Sequence, residues 1–179
     1  FLGKNILGSG FSYDVDVSLT GESYVAGEET ALMDAIEGKR AMPRSKPPFP
    51  AAFGVWGKPT NINNVKTLAY IPSIVENGGE WFKSIGVNKS TGTAIICLSG
   101  KINNPGLYEV PLGISIGQVI NEIGGGVTGG NKIKLLQTGG PLGGVLGETG
   151  LEINIDFDEM AKAGAILGSG GIIVAAETT

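Results

Sequence analysis

The sequence contains no histidine and only one cysteine, Cys97, in 179 residues. The missing histidines remove Ser-His-Asp and Cys-His catalysis, imidazole metal sites and the usual proton shuttle near neutral pH. A single cysteine closes no internal disulfide and holds neither an iron–sulfur cluster nor a structural zinc. It fits a reducing, cytoplasmic compartment. No apolar run approaches the roughly 18–20 residues of a membrane span, so no direct membrane insertion is expected. No signal peptide opens the chain. Charge is sparse: 13 Lys+Arg against 17 Asp+Glu give a net −4. Without a basic excess to displace counterions, nucleic acid is not an expected partner. Hydrophobic residues make up 41%, enough for a buried core. Any chemistry must come from a bound cofactor, carboxylates or backbone groups.

Glycine is what the sequence has in excess: 31 residues, about 17% against a usual share of about 7%. With the 9 prolines the sum is about 22%, short of the roughly 25–30% that marks low-complexity disorder. Eleven glycines fall within residues 124–150 and four more within 164–171, so the excess points to tight turns and docking loops. The chain begins at Phe1 in mid-pattern and stops just after an apolar strand, which leads us to expect a piece of a longer protein.

Residues 1–12 read as the end of a helix running into a glycine turn, and residues 14–19 alternate as a strand. Residues 28–37 read as a helix with acidic residues in its first turn, an apolar face of Leu32, Ala35 and Ile36, and a stop at Gly38. Residues 39–60 form a long segment broken by five prolines, with Phe49, Phe53 and Trp56 arguing for order. A helix over 65–76 follows, capped by Asn63 or Asn64, with Leu68, Ile71, Ile74 and Val75 as its stripe and Pro72 inside it. Residues 80–85 make a short helix, and the polar linker 86–92 is the expected domain boundary.

The second half has another texture. Residues 93–99 read as a buried strand, Asn103-Asn104-Pro105-Gly106 as a turn, and 107–110 as the returning strand. A Ser115-capped helix over 116–123, a strand over 132–138, a short helix over 157–163 and a strand over 172–176 complete the order. That order fits a small α+β, β-grasp-like domain wrapping one helix.

Three segments could carry chemistry. Residues 21–30, including Tyr24, Gly27, Glu28 and Glu29, place a glycine turn before a helix N-terminus, which is a candidate nucleotide element. The paired carboxylates suit hydroxyls, amides or a redox ring better than phosphate; alternatively they are ordinary first-turn residues. Residues 37–46 carry Lys39, Arg40, Arg44 and Lys46 against Glu37, with Phe49 available to stack on a base, or they form a solvated loop. Asn63 and Asn64 offer amides and free N–H groups at a helix start, or simply cap it. Cys97 reads as a packed small residue, and Gly139-Gly140-Pro141-Leu142-Gly143-Gly144, lacking a P-loop lysine, as a structural turn or docking loop.

Taken together, FLGKNILGSGFSYDV, SYVAGEETALMDAIEGKR and PRSKPPFPAAFGVWGKPTNINNVKTL closely resemble the NADH-binding flavoprotein subunit of respiratory complex I. The same subunit type occurs in NAD(P)-reducing and electron-bifurcating hydrogenases and in related formate dehydrogenases. LSGKINNPGLYEVPLG, GGPLGG and GSGGIIV resemble that family's soluble-ligand-binding β-grasp domain.

The resemblance implies an α/β architecture. Residues 1–90 would be the C-terminal part of a Rossmann-like FMN/NADH-binding domain, and residues 91–179 the β-grasp domain and the start of the link to an iron–sulfur domain. It implies an NAD(P)H:acceptor oxidoreductase in which FMN takes hydride and passes electrons singly to a 4Fe–4S cluster. Tyr24, Gly27, Glu28 and Glu29 would line the flavin and nicotinamide, Asn63 and Asn64 would lie near FMN, and Lys46 and Phe49 would meet NADH, with Phe49 on the adenine. A glutamate beside the nicotinamide suggests a preference against a 2′-phosphate. No side chain need act as a catalytic acid or base. Partners would be other subunits of a dehydrogenase or hydrogenase complex. Two departures stand out: Lys66 replaces an acidic residue, and neither the glycine-rich FMN loop nor the cluster cysteines occur in these residues. This chain alone is therefore expected to be inactive, to bind no FMN or cluster, and to self-associate through exposed apolar surface. The rival expectation is a β-grasp module from about Thr93 that binds a ligand or subunit without redox activity, and a third makes the acidic patch of residues 148–159 a docking face for another subunit.

Overall fold

A computed structural model describes residues 1–21 and 24–178. Glu22 and Ser23 of the first motif, and Thr179, lie outside the described residues. The chain forms two compact units, Phe1–Ala69 and Tyr70–Thr179.

In the first unit, α1 spans Glu29–Ile36 and α2 begins at Val65, running to Asn77 beyond the division between the units. Glu28 is the N-cap of α1: its carboxylate accepts the N–H groups of Thr30 and Ala31, satisfying two donors that no helical carbonyl can reach. Gly38, at φ +75°, ends the helix, a backbone conformation that costs glycine little. Asn64 starts α2, its side-chain oxygen accepting the Lys66 N–H at 2.8 Å. Pro72 lies inside α2.

Three expectations change here. Residues 1–12 contain a single 3-10 turn at Ile6–Gly8 and an isolated bridge between Gly3 and Tyr13 in place of a helix end. Residues 14–19 form no strand: no ladder partner is present among the described residues, and Val15, Val17 and Leu19 are exposed. The buried face of α1 carries Thr30, Ala31, Met33 and Asp34, and Leu32, Ala35 and Ile36 are only partly covered. The reason is the proline-rich segment, which is strapped to that face by polar bonds. The Arg44 N–H donates to the Thr30 hydroxyl at 2.8 Å, and its guanidinium lies 3.4 Å from Asp34. The stripe of α2 is also uncovered, with Leu68, Ile71 and Val75 all exposed.

After the end of α2, the second unit continues with α3 (Gly79–Ser84) and a two-stranded ladder, β1 (Gly86–Val87) with β2 (Ser90–Thr91), where the sequence reads as linker. The main sheet contains β3 (Thr93–Gly100), β4 (Gly106–Pro111), β5 (Ile133–Thr138), β6 (Val145–Leu146) and β7 (Gly171–Ala176) in the order β4-β3-β7-β5-β6. The β3–β7 pair is parallel and the other pairs are antiparallel.

One face of this sheet is packed. Ala94, Ile96 and Leu98 of β3, Leu136 of β5, and Ile172 and Val174 of β7 meet Ile116, Val119 and Ile120 of a helical segment. That segment is α4 (Ile116–Gln118), continued as π-helix over Val119–Ile123, and it starts in a Ser115–Gln118 capping box. A last helix, α5 (Phe157–Lys162), is N-capped by buried Asp156 and adds Met160 to the core. Because only one face of β3 is covered, its side chains alternate in burial. Cys97, expected to be packed, therefore points away from Ile96 and Leu98 and is exposed. The Gly139–Gly144 cluster is a tight turn: a Cβ on Gly143 would fall 1.4 Å from the Thr138 carbonyl oxygen.

Candidate functional site

The first unit gathers its charges around the N-terminus of α1. The Glu28 carboxylate is held by two backbone N–H groups at 2.9 and 3.0 Å and by the Thr30 hydroxyl. The Thr30 hydroxyl bond, reinforced by those N–H groups and by Lys46, holds the Glu28 carboxyl below its ordinary pKa, against a smaller opposing effect of burial. Lys46, from the proline-rich segment, bonds the Glu29 carboxylate and lies 3.7 Å from the second Glu28 oxygen. Its bond to Glu29 raises its pKa. Seventeen residues apart in sequence, Glu29 and Lys46 thus form one half-exposed acid–base cluster with Glu28.

The other candidate residues are placed as follows. Tyr24 and Gly27 lie in a single 3-10 turn, Tyr24–Gly27, leading into the Glu28 cap, and the Tyr24 ring is exposed. A Cβ on Gly27 would meet nothing within 4 Å among the described residues, so the space beside its backbone is open to them. Phe49 is 59% exposed, its carbonyl accepting the N–H groups of Ala52 and Phe53. Asn63 and Asn64 are exposed before the first turn of α2, and Asn64 is engaged as its cap. The structure brings Glu28, Glu29 and Lys46 together directly; it records no bond from Phe49, Asn63 or Asn64 to that cluster among the described residues.

Sequence reasoning missed one feature. A cleft of about 660 Å³ is lined by Glu37, Lys39, Arg44, Phe53 and Trp56. Glu37 anchors it: one carboxylate oxygen accepts the Trp56 N–H at 2.6 Å, and the other pairs with Lys39. The Lys39 bond, then the Trp56 N–H, lower the Glu37 pKa. The signal is visible as charge and aromatics in one segment, but the bond that closes it spans 19 residues.

Among the described residues no group of three or more His, Cys, Asp or Glu could hold a metal ion. No helix among them is long and apolar enough to cross a membrane.

Residues 3–73 match the family model described as the Nuo51 FMN-binding domain, and residues 95–146 match the SLBB domain. The NADP-reducing hydrogenase protein HndC of Solidesulfovibrio fructosivorans is 51% identical over 97% of this chain and 35% of its own length. An NADH-quinone oxidoreductase subunit of Rhizobium meliloti is 47% identical over 100% of this chain and 42% of its own length. The chain thus spans about two-fifths or less of the length of the curated relatives it matches. A crystal structure of an NAD+-reducing NiFe hydrogenase in the H2-reduced state superposes with a TM-score of 0.80 at 32% identity, over 94% of this chain and 28% of that chain. The match over residues 3–73 also sets aside the reading of the chain as an isolated ligand-binding module. The chain thus carries a segment of the Nuo51 FMN-binding domain followed by an SLBB domain, and over nearly its whole length it is similar to part of subunits of NADH-quinone oxidoreductase and NADP-reducing hydrogenase.

Proposed function

We propose that this chain supplies part of the nucleotide and flavin wall of an NAD(P)H:acceptor oxidoreductase subunit. The observation that carries the reading is the joining of Glu28, Glu29 and Lys46 at the start of α1, beside the open backbone of Gly27. Residues 1–90 would be the C-terminal part of a Rossmann-like FMN/NADH-binding domain. Residues 91–179 would be a β-grasp domain, a reading supported by the sheet order, in which the parallel strands β3 and β7 are central neighbours.

The residues present fit a flavin and a dinucleotide. Phe49 and Tyr24 offer exposed rings, Asn63 offers an exposed amide, and the first turn of α2 offers backbone donors. FMN, when bound, supplies the redox chemistry, taking up two electrons as hydride and releasing them singly. The chain's own residues bind and orient. Phe49 stacks on the adenine, and Lys46 offsets one of the two charges of Glu28 and Glu29, leaving the cluster net negative. Glu28 and Glu29 disfavour further negative charge nearby, Gly27 admits close approach, and Asn63 and Asn64 hold polar flavin atoms. The described residues do not fit a 4Fe–4S cluster, since Cys97 stands alone. Partners would be the other subunits of a dehydrogenase or hydrogenase complex.

The test uses the longer flavoprotein that carries this chain. Gly27→Ala meets no atom within 4 Å among the described residues and has no left-handed backbone to strain, so folding is expected to stay intact. Reduced FMN occupancy or NADH oxidation at unchanged thermal stability is expected. Full occupancy and activity would remove Gly27 from the site.

A further inference from the structure

The second unit contains a site that the flavoprotein reading does not use. Tyr70 on α2, and Trp81 and Phe82 on α3, line a cavity of about 210 Å³ with Ile85, Thr93 and Glu109. The rings form a connected array: Tyr70 and Phe82 have centroids 5.3 Å apart and tilted 50°, and Trp81 and Phe82 are 6.4 Å apart and tilted 51°. Gly92 is one reason Phe82 sits there, because a Cβ at that position would fall 2.2 Å from the ring.

The polar side of the cavity is built by the β3–β4 ladder. Thr93 pairs with Pro111, which makes Glu109 its diagonal neighbour on the same face. The Thr93 hydroxyl donates to one Glu109 oxygen at 2.6 Å and lies 2.8 Å from the Tyr70 hydroxyl. The Tyr70 hydroxyl in turn donates to the Thr93 carbonyl at 3.0 Å. The carboxylate is therefore fixed at the wall. No lysine or arginine pairs with it among the described residues, whose ion pairs lie elsewhere.

Ring faces are negative, and the exposed Glu109 carboxylate adds a negative charge that is in no ion pair among the described residues. The complement of such a wall is a cation with an apolar surface, which gains from the rings and the carboxylate and loses little hydration on entry. A metal ion is a poor fit, because a single carboxylate with aromatic neighbours lacks the oxygen ligands that hard cations need. The volume is below that of drug-sized pockets, so the occupant is small. We infer that the Tyr70–Trp81–Phe82 array with Glu109 is a binding site for a small organic ammonium ion, with a quaternary or methylated nitrogen as the best match.

The probes are choline and its uncharged isostere 3,3-dimethylbutan-1-ol, titrated into the chain and followed by NMR at the Trp81 indole and the Thr93 amide. Choline is expected to give saturable shifts at both, and the isostere to bind about fivefold more weakly or worse. Glu109→Gln keeps the shape and the acceptor for Thr93, and should weaken choline about fivefold without changing the isostere. Trp81→Phe should weaken choline by a smaller factor. Equal binding of the two probes, choline binding unaffected by Glu109→Gln, or no saturable shift would each overturn the inference. Equal binding would leave only an apolar pocket.

Discussion

The two compact units are held together by different means. The second buries a continuous apolar core, with Ile96, Ile116, Ile120, Leu136, Ile155, Met160 and Ile172 at most 1% exposed. The first buries little apolar side chain beyond Ala31 and Met33, and keeps its order through caps, ion pairs and the strap over α1. It also leaves Leu7, Val17, Leu19 and Val65 largely exposed. The lesson is that the candidate functional residues lie in the unit with little apolar core, where Glu28 and Asn64 also cap helices. The unit with the proposed nucleotide residues is the one whose own core is thin, and the glycine-rich unit is the one that can fold around itself.

The chain's two tryptophans make that comparison measurable, since Trp56 lies in the first unit and Trp81 in the second. With each replaced in turn by phenylalanine, the other reports one unit. The largest effect is expected from Ile96→Ala, a fully buried truncation that should cost about 2–5 kcal/mol in denaturant unfolding reported by Trp81. Trp56 should register much less of it. An equal loss at Trp56 would mean the units unfold as one and would break the comparison.

Next comes Asp156→Ala. This buried cap accepts the N–H groups of Asp158 and Glu159, both at 2.9 Å, and its loss should cost about 1–2 kcal/mol at Trp81. The Glu159 N–H above all, opposed by burial and aided by Ser90 and the Asp158 N–H, lowers its pKa. Its contribution is therefore complete above the ordinary aspartate range near 3.9 and is lost as pH falls through the lower folded value. An unchanged acid midpoint in Asp156→Asn would contradict this.

Thr138→Val should act in the opposite direction. The Thr138 hydroxyl is buried without a hydrogen-bond partner, so removing it should add about 1 kcal/mol at Trp81. Glu28→Gln should give the smallest change, read at Trp56. The Glu28 side chain is about one-third exposed, and screening reduces the cap's worth to well under about 1 kcal/mol. Its pKa is also lowered, so its contribution is present above the ordinary glutamate value and fades as pH falls through the folded one. A larger loss here than in Asp156→Ala would invert the account of where stability lies.

The second unit is legible in the sequence because its signals are local. Ser115 and Gln118 form a capping box three residues apart, Asn103 to Gly106 turn the chain, and short apolar-rich runs next to glycine give β5 and β7. Cys97 misleads because a continuous apolar run looks covered on both sides, whereas helices cover one face alone. In the first unit, residues 14–19 have strand alternation but no ladder partner among the described residues, and alternation without hydrogen bonds makes no strand. The buried face of α1 differs from its apolar pattern because Thr30 and Asp34 are covered by Arg44, a contact no periodicity reveals. The candidate site is legible in parts: the Glu28 cap follows from local chemistry, whereas its link to Lys46 depends on how residues 39–60 return.

The central claim is that the thin first unit presents an exposed ring, Phe49, proposed to meet the nucleotide and not needed for the unit's own folding. Phe49 tests it most directly, because its ring is more than half exposed. In the longer flavoprotein carrying this chain, Phe49→Ala should weaken NADH binding about five- to a hundredfold, the usual worth of stacking on a base, while unfolding reported by Trp56 stays in place. Unchanged NADH affinity, or a loss of affinity that merely tracks unfolding of the first unit, would contradict the account.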